Sequence, residues 1–147
     1  MNQKIIDRAG ELINSKSGYI GGGMEGYVVL SLIDENGYPT ASTATIARAD
    51  GINWITFATG PDSNKAKRIA KCNRASVCLA SSEYNVTLVG TIDVVEDAET
   101  KRAMWSPEME SIYWSGPDDP GFYVLKFNTE RYNIYFDDDN SEAVGKI

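Results

Sequence analysis

The chain's most suggestive chemistry lies in SNKAKRIAKCNR, from Ser63 to Arg74, which carries Lys65, Lys67, Arg68, Lys71 and Arg74 with no acidic residue among them. The whole chain has a formal net charge of −7, so this is a local reversal of sign, and it suits an anion. Lys65 falls in the first turn of the helix that this stretch predicts, where the helix dipole favours acidic groups. A phosphate resting on the free N–H groups of that turn removes the conflict. Ser63 can cap the helix or donate its hydroxyl to the same anion. Two rival readings stand beside this one. Lys67 and Lys71 lie one turn apart, as on a solvated basic face. Asp62 can serve as the cap, and its carboxylate would repel a phosphate at short range.

Two further groups could bind a ligand. Ser42, Thr43 and Thr45 put small hydroxyl side chains in the middle of a predicted strand, where a flat polar ligand could lie against them; a Thr-rich strand facing solvent fits as well. Trp105, Tyr113 and Trp114, followed by GPDDP, place large aromatics on a loop-like segment. Such side chains cover a ligand or a subunit interface, or plug the end of a barrel. The consecutive Gly21, Gly22 and Gly23 lack the Lys-Ser/Thr of a P-loop and the GxGxxG order, so they read as a connector.

What is missing also narrows the chemistry. The chain contains no histidine, which excludes histidine-dependent triads, histidine-ligated haem and the common catalytic zinc sites. No residue can be named as a catalytic acid or base. Cys72 and Cys78 read as small fillers in a reducing compartment, and no metal site is expected. With 147 residues, of which 42% are hydrophobic, the chain fits one domain over 1–147. Its acidity argues against nucleic acid and against anionic membrane surfaces as partners. No apolar run approaches the roughly eighteen residues of a membrane span, and the first residues are amphipathic, so a cytoplasmic location is expected.

The elements that must position these residues follow from periodicity and turn chemistry. Ile5, Ile6, Ala9, Leu12 and Ile13 recur at helical spacing, which predicts a helix within 1–17. Tyr27 to Ile33 reads as a strand. Asn36-Gly37 then reads as a tight primed turn, both residues tolerating positive φ, into a return strand over Thr40 to Arg48. Asp50-Gly51 turns the chain into a third strand ending at Thr59, just before the basic helix. Strands follow at Ala75 to Ser81 and Val86 to Val95, where Gly90 suggests a bulge or a close backbone approach. Asp97 caps a helix running to about Trp105, and Pro107 breaks it. Phe122 to Phe127 and Tyr132 to Phe136 read as closing strands, and 138–147 as a mobile acidic tail. The expected class is mainly β (α+β): six or seven short, mostly antiparallel strands forming a small barrel, with helices inserted after the third and fifth strands.

In this order the segments DENGYPTASTATI, DGINWITFAT, SNKAKRI and NRASVCLA resemble the flavin-binding split barrel of the pyridoxamine 5′-phosphate oxidase superfamily. MWSPEMESIYWSGPDDPGFYVLKF with the closing YFDD is similar to its general stress protein 26 branch. The resemblance spans about Tyr27 to Asp138. It implies a homodimer with flavin mononucleotide (FMN) at the subunit interface and the phosphate on Ser63 and Lys65, which match a Ser-x-Lys motif. Thr59 would bond phosphate or ribityl oxygens, Phe57 and Ala58 would meet the ring by their backbone, and Trp114 would cover the flavin or the interface. Ser42 and Thr43 fall where the family often has Arg-Pro or Arg-Met, and that arginine is missing here. Asn64 replaces an arginine of the oxidase proper, and its Arg-x-His is absent, which argues against vitamin B6 oxidation. The implied function is an FMN-binding oxidoreductase-like protein exchanging electrons with a small-molecule donor or acceptor. A flavin carrier or sensor without turnover, a relative of the deazaflavin-dependent reductases, and a decayed, empty site are the alternatives.

Overall fold

The computed structural model describes residues 2–18, 27–109 and 114–147. Helix α1 (Asn2–Lys16) precedes strands β1 (Tyr27–Ile33), β2 (Pro39–Asp50) and β3 (Trp54–Thr59). Helix α2 (Asn64–Lys71) leads to β4 (Arg74–Ala80) and β5 (Tyr84–Val95). Helix α3 (Ala98–Met104) and a 3-10 turn (Pro107–Met109) are followed by β6 (Tyr123–Phe136) and β7 (Ser141–Lys146). The order β3-β2-β1-β4-β5-β6 closes on itself because β6 also pairs with β3, and β7 extends the sheet from the other end of β6. Every pairing is antiparallel. The result is a closed six-stranded barrel with one added strand, as the expected fold class requires. Among the described residues no helix is long and apolar enough to cross a membrane.

Alternation along the strands builds the core. Leu30, Val77, Leu88, Ile55, Leu125 and Phe127 point inward from five strands, the last two from β6, and are fully buried. Ala9 and Ile13 of α1 join this cluster, so α1 closes the barrel with its apolar stripe. A second cluster outside the barrel gathers Ala47, Met104, Met109, Phe122 and Val124. Its link to the sheet is a bulge in β2 between Ile46 and Arg48. The buried Thr56 hydroxyl accepts from the Arg48 N–H at 3.1 Å and lies 3.3 Å from the Arg48 carbonyl, to which it can donate. The bulge's backbone is thus satisfied although the ladder is broken there.

Three sequence expectations are corrected. The first hairpin does not use a two-residue primed turn at Asn36-Gly37. The Gly37 N–H bonds the Asp34 carbonyl and only Gly37 has positive φ, 83°, which is a three-residue connection with glycine at the left-handed position. Asp34 stabilises it by accepting from the N–H groups of Asn36 and Tyr38 and the hydroxyl of Thr40. Second, the closing strands are one continuous strand, β6, and the polar 128–131 stretch runs through it. Third, 138–147 is not a mobile tail, because it contains β7. Ala143 is only 2% exposed, and Arg8 of α1 reaches across to Asp138 at 2.9 Å while stacking over Phe136 at 3.8 Å. Acidic composition suggested disorder, but tertiary contacts to α1 and β6 order the strand.

Candidate functional site

The basic stretch begins where β3 ends. A turn bonded from the Ser63 N–H to the Gly60 carbonyl brings the chain from Thr59 to α2. Ser63, not Asp62, is the cap: its Oγ accepts from the Ala66 N–H at 3.2 Å, which leaves its own O–H free to donate. The helix therefore starts at Asn64, and Lys65 lies in its first turn. Lys65 is half-buried, and among the described residues it has no ion-pair partner.

Lys65 lines an open cleft of about 230 Å³. Thr43 and Thr45 of β2 form one wall, joined by Tyr27 of β1, which sits directly opposite Thr45. Phe57, Ala58 and Thr59 bring the end of β3 beneath them, and Trp114 stands at the rim. The Phe57 side chain is buried in the barrel core, so what it offers the cleft is backbone. A shallower extension past Gly60 remains bordered by Ala58, Thr59 and Trp114.

Of the residues singled out in the sequence, the fold thus brings together Thr43, Thr45, Phe57, Ala58, Thr59, Lys65 and Trp114. Ser63 stands at the helix start without lining the cleft, and Ser42, alternating to the other side of β2 from Thr43, does not reach it. Lys67, Arg68 and Lys71 line a different groove, against Asp34 and Glu35, where Arg68 pairs with Glu35 at 3.4 Å. The five-cation run is therefore split: position 65 faces the cleft and positions 67, 68 and 71 face the first hairpin. Tyr27, Ala44 and Ala47 are cleft residues that sequence reasoning missed. Their signal is cross-strand register and the β2 bulge, and neither is visible before pairing is known.

Trp105 and Trp114 both pack within one subunit. They meet Phe122 edge-on at centroid distances of 5.1 and 5.3 Å, and the Trp114 Nε1–H donates to the Gly121 carbonyl at 2.7 Å. Trp114 is thus anchored in the second cluster, outside the barrel, so it does not plug the barrel's end, and it also borders the cleft. Tyr113 and the glycines at 21–23 lie outside the described residues.

Asp119 holds the loop that carries Trp114. Its carboxylate accepts from the N–H groups of Ser115 and Gly121 and from the Ser115 hydroxyl, and these bonds hold its pKa below the ordinary value of 3.8. A depressed folded-state pKa means the stabilisation is complete above the unfolded value and disappears as the pH falls through the folded one. Asp119→Asn is accordingly expected to destabilise the protein at neutral pH, with the difference from the parent shrinking below about pH 4. Denaturant midpoints across that range check it; a gap that stays constant into acid would detach Asp119 from the loop's stability.

The sequence profile described as pyridoxamine 5'-phosphate oxidase like matches residues 28–145. No curated protein matches the sequence. Among solved structures, a Clostridium acetobutylicum protein related to general stress protein 26 of the pyridoxinephosphate oxidase family is 25% identical, with a TM-score of 0.80 over 100% of this chain and 97% of that one. An FMN-binding, pyridoxamine 5'-phosphate oxidase-related protein of Nostoc punctiforme is 17% identical, with a TM-score of 0.66 over 99% and 96%. A heme binding protein of Mycobacterium smegmatis is 18% identical, with a TM-score of 0.67 over 94% of this chain and 57% of that one. Barrel, helix placement and sequence profile agree that the chain belongs to the pyridoxamine 5'-phosphate oxidase-like family, within which it is similar to general stress protein 26.

Proposed function

We propose that this protein binds FMN in the cleft, as a homodimer, and belongs functionally with the oxidoreductase-type flavoproteins of its family. The carrying observation is the isolation of Lys65: a half-buried ammonium with no carboxylate partner among the described residues, beside a helix start, in a cleft otherwise lined by hydroxyls, alanines, backbone and an indole. Those groups fit the parts of the cofactor. Lys65 and the Ser63 hydroxyl would hold the phosphate, Thr59 the ribityl oxygens, and the β3 backbone with Thr43, Thr45 and Trp114 the ring. When bound, the flavin would supply the electron transfer, and the chain's residues would bind it, orient it and exclude water from one face.

A dimer is supported by what the cleft lacks. Both the cleft and its extension past Gly60 are open to solvent, whereas a small-molecule site encloses most of its ligand's surface. A second subunit on the outer face of β1 and β2, where Val29 is 39% exposed, would add the missing wall.

A carrier or sensor without turnover is the second reading. Tyr27 and Lys65 are the ionisable side chains of the described lining, so the cleft offers little for proton transfer to a substrate. The freshly purified protein is expected to show flavin absorbance, or to acquire it on titration with FMN and not with haem. Anaerobic reduced nicotinamide then separates the two readings: bleaching that a specific acceptor reverses marks an enzyme, and a persistent spectrum marks a carrier. Saturable haem binding with no uptake of FMN would overturn the proposal.

A further inference from the structure

Among the described residues, strand β7 has an open edge: it pairs only with β6, on the register Arg131↔Lys146 to Phe136↔Ser141. The Ile147 N–H continues that ladder onto the Glu130 carbonyl. Because successive residues of an antiparallel strand alternate in hydrogen-bonding direction, Ile147, Gly145, Ala143 and Ser141 turn their backbone groups toward β6. Glu142, Val144 and Lys146 therefore turn theirs to the free edge. Their side chains are exposed, and Val144, at 59%, is among the most exposed large apolar residues described.

Edges of this kind attract foreign strands, and charged side chains ordinarily discourage it. Here the charges are arranged to match a copy of themselves. If a second β7 lies antiparallel with Val144 opposite Val144, then Glu142 falls opposite Lys146 of the second copy, and Lys146 opposite its Glu142. These are the residues whose N–H and C=O groups face outward, so backbone ladder and charge pairing share one register. The surroundings follow the same polarity. One end of the β6–β7 ribbon is acidic, with Asp137, Asp139 and Glu142 around Tyr135, whose pKa is raised first by burial and then by these charges. The other end is mainly basic: Arg131 sits directly across from Lys146, and Arg74 borders the same depression together with one acidic residue, Glu130. Like charges across strands repel, so an incoming carboxylate suits Lys146, whose cross-strand neighbour Arg131 carries the same sign.

We propose that the β7 edge is a self-association surface, joining two copies of this chain by continuous antiparallel pairing centred on Val144. It is separate from the barrel face assigned above to the flavin dimer, so both together would give a dimer of dimers. The test is a charge swap read by sedimentation of the full chain at high micromolar concentration. Glu142→Lys alone and Lys146→Glu alone each place like charges opposite one another, and each is expected to weaken this association roughly tenfold or more and halve the limiting mass. The double variant restores the pairing and is expected to restore the mass. Val144→Pro removes an outward N–H without touching the β6 ladder and is expected to act like the single reversals. Val29→Asp should remove only the barrel-face contact. Mass that responds to Val29→Asp but not to positions 142, 144 and 146 overturns the β7 proposal, as does a double variant that fails to recover while remaining folded by circular dichroism. Mass that responds to the β7 variants alone upholds it and removes the barrel-face dimer instead.

Discussion

Lys65→Ala is expected to lower FMN affinity roughly ten- to a hundredfold, the equivalent of losing one charge-assisted hydrogen bond of about 1.5–3 kcal/mol. The expectation comes from geometry more than from charge. Five cations lie between positions 63 and 74, but the fold sends Lys65 into the cleft and Lys67, Arg68 and Lys71 into a groove shared with Asp34 and Glu35. Lys71→Ala should therefore cost far less, because an exposed cation on the far turn contributes only a screened field. Riboflavin, which lacks the phosphate, supplies the control: its binding should be weak in the parent and barely changed by Lys65→Ala. Isothermal titration of both ligands against both variants decides the matter. Equal losses at positions 65 and 71, or equal losses for the two ligands, would make the basic run a diffuse field and remove the phosphate from α2.

The parts of this arrangement that were legible in the sequence obey short-range rules. The Asp97 cap, the Asp50-Gly51 turn and the amphipathic α1 each depend on residues a few positions apart. Lys65 was legible for the same reason, since a first-turn lysine contradicts a local field. The assignment of Trp114 was legible only as an alternative, because whether an aromatic plugs or covers depends on where Phe122 and Gly121 return in space. The continuity of β6 was hidden by Asn128 to Arg131, which read as an interruption although the strand passes through them while changing neighbours. β7 was hidden by its composition: SEAVGK is short and weakly apolar, and its order comes from β6 and from α1 packing on it. Tyr27 joined the cleft through its register with Thr45, a relation between residues 18 apart in sequence (45 − 27) that only strand pairing creates.

Gly90→Ala is expected to destabilise the protein strongly, for a reason that also explains how the barrel closes. From Tyr123 to Asn128, β6 lies between β5 and β3; from Arg131 to Phe136 it lies between β5 and β7. The exchange of β3 for β7 happens at the register shift between Val89 and Gly90, where β5 and β6 bend together. A Cβ on Gly90 would stand 2.0 Å from the Asn128 carbonyl oxygen and 3.1 Å from the Glu130 nitrogen, both backbone atoms that cannot rotate aside. Relief requires the bulge to open, which loosens the β3–β6 seam and with it the β3 end that floors the cleft. The expected cost is at least about 3 kcal/mol, the upper end of ordinary overpacking and a large fraction of the roughly 5–15 kcal/mol that stabilises a domain. Gly116→Ala is the matched control, because nothing lies within 4 Å of its added Cβ, and it should stay within about 0.5 kcal/mol of the parent. Urea unfolding followed by tryptophan fluorescence measures both. A Gly90→Ala protein that unfolds at the parental midpoint would mean that β5 and β6 do not approach this closely at the bulge, and that the barrel is closed by the β3–β6 pairing without help from it.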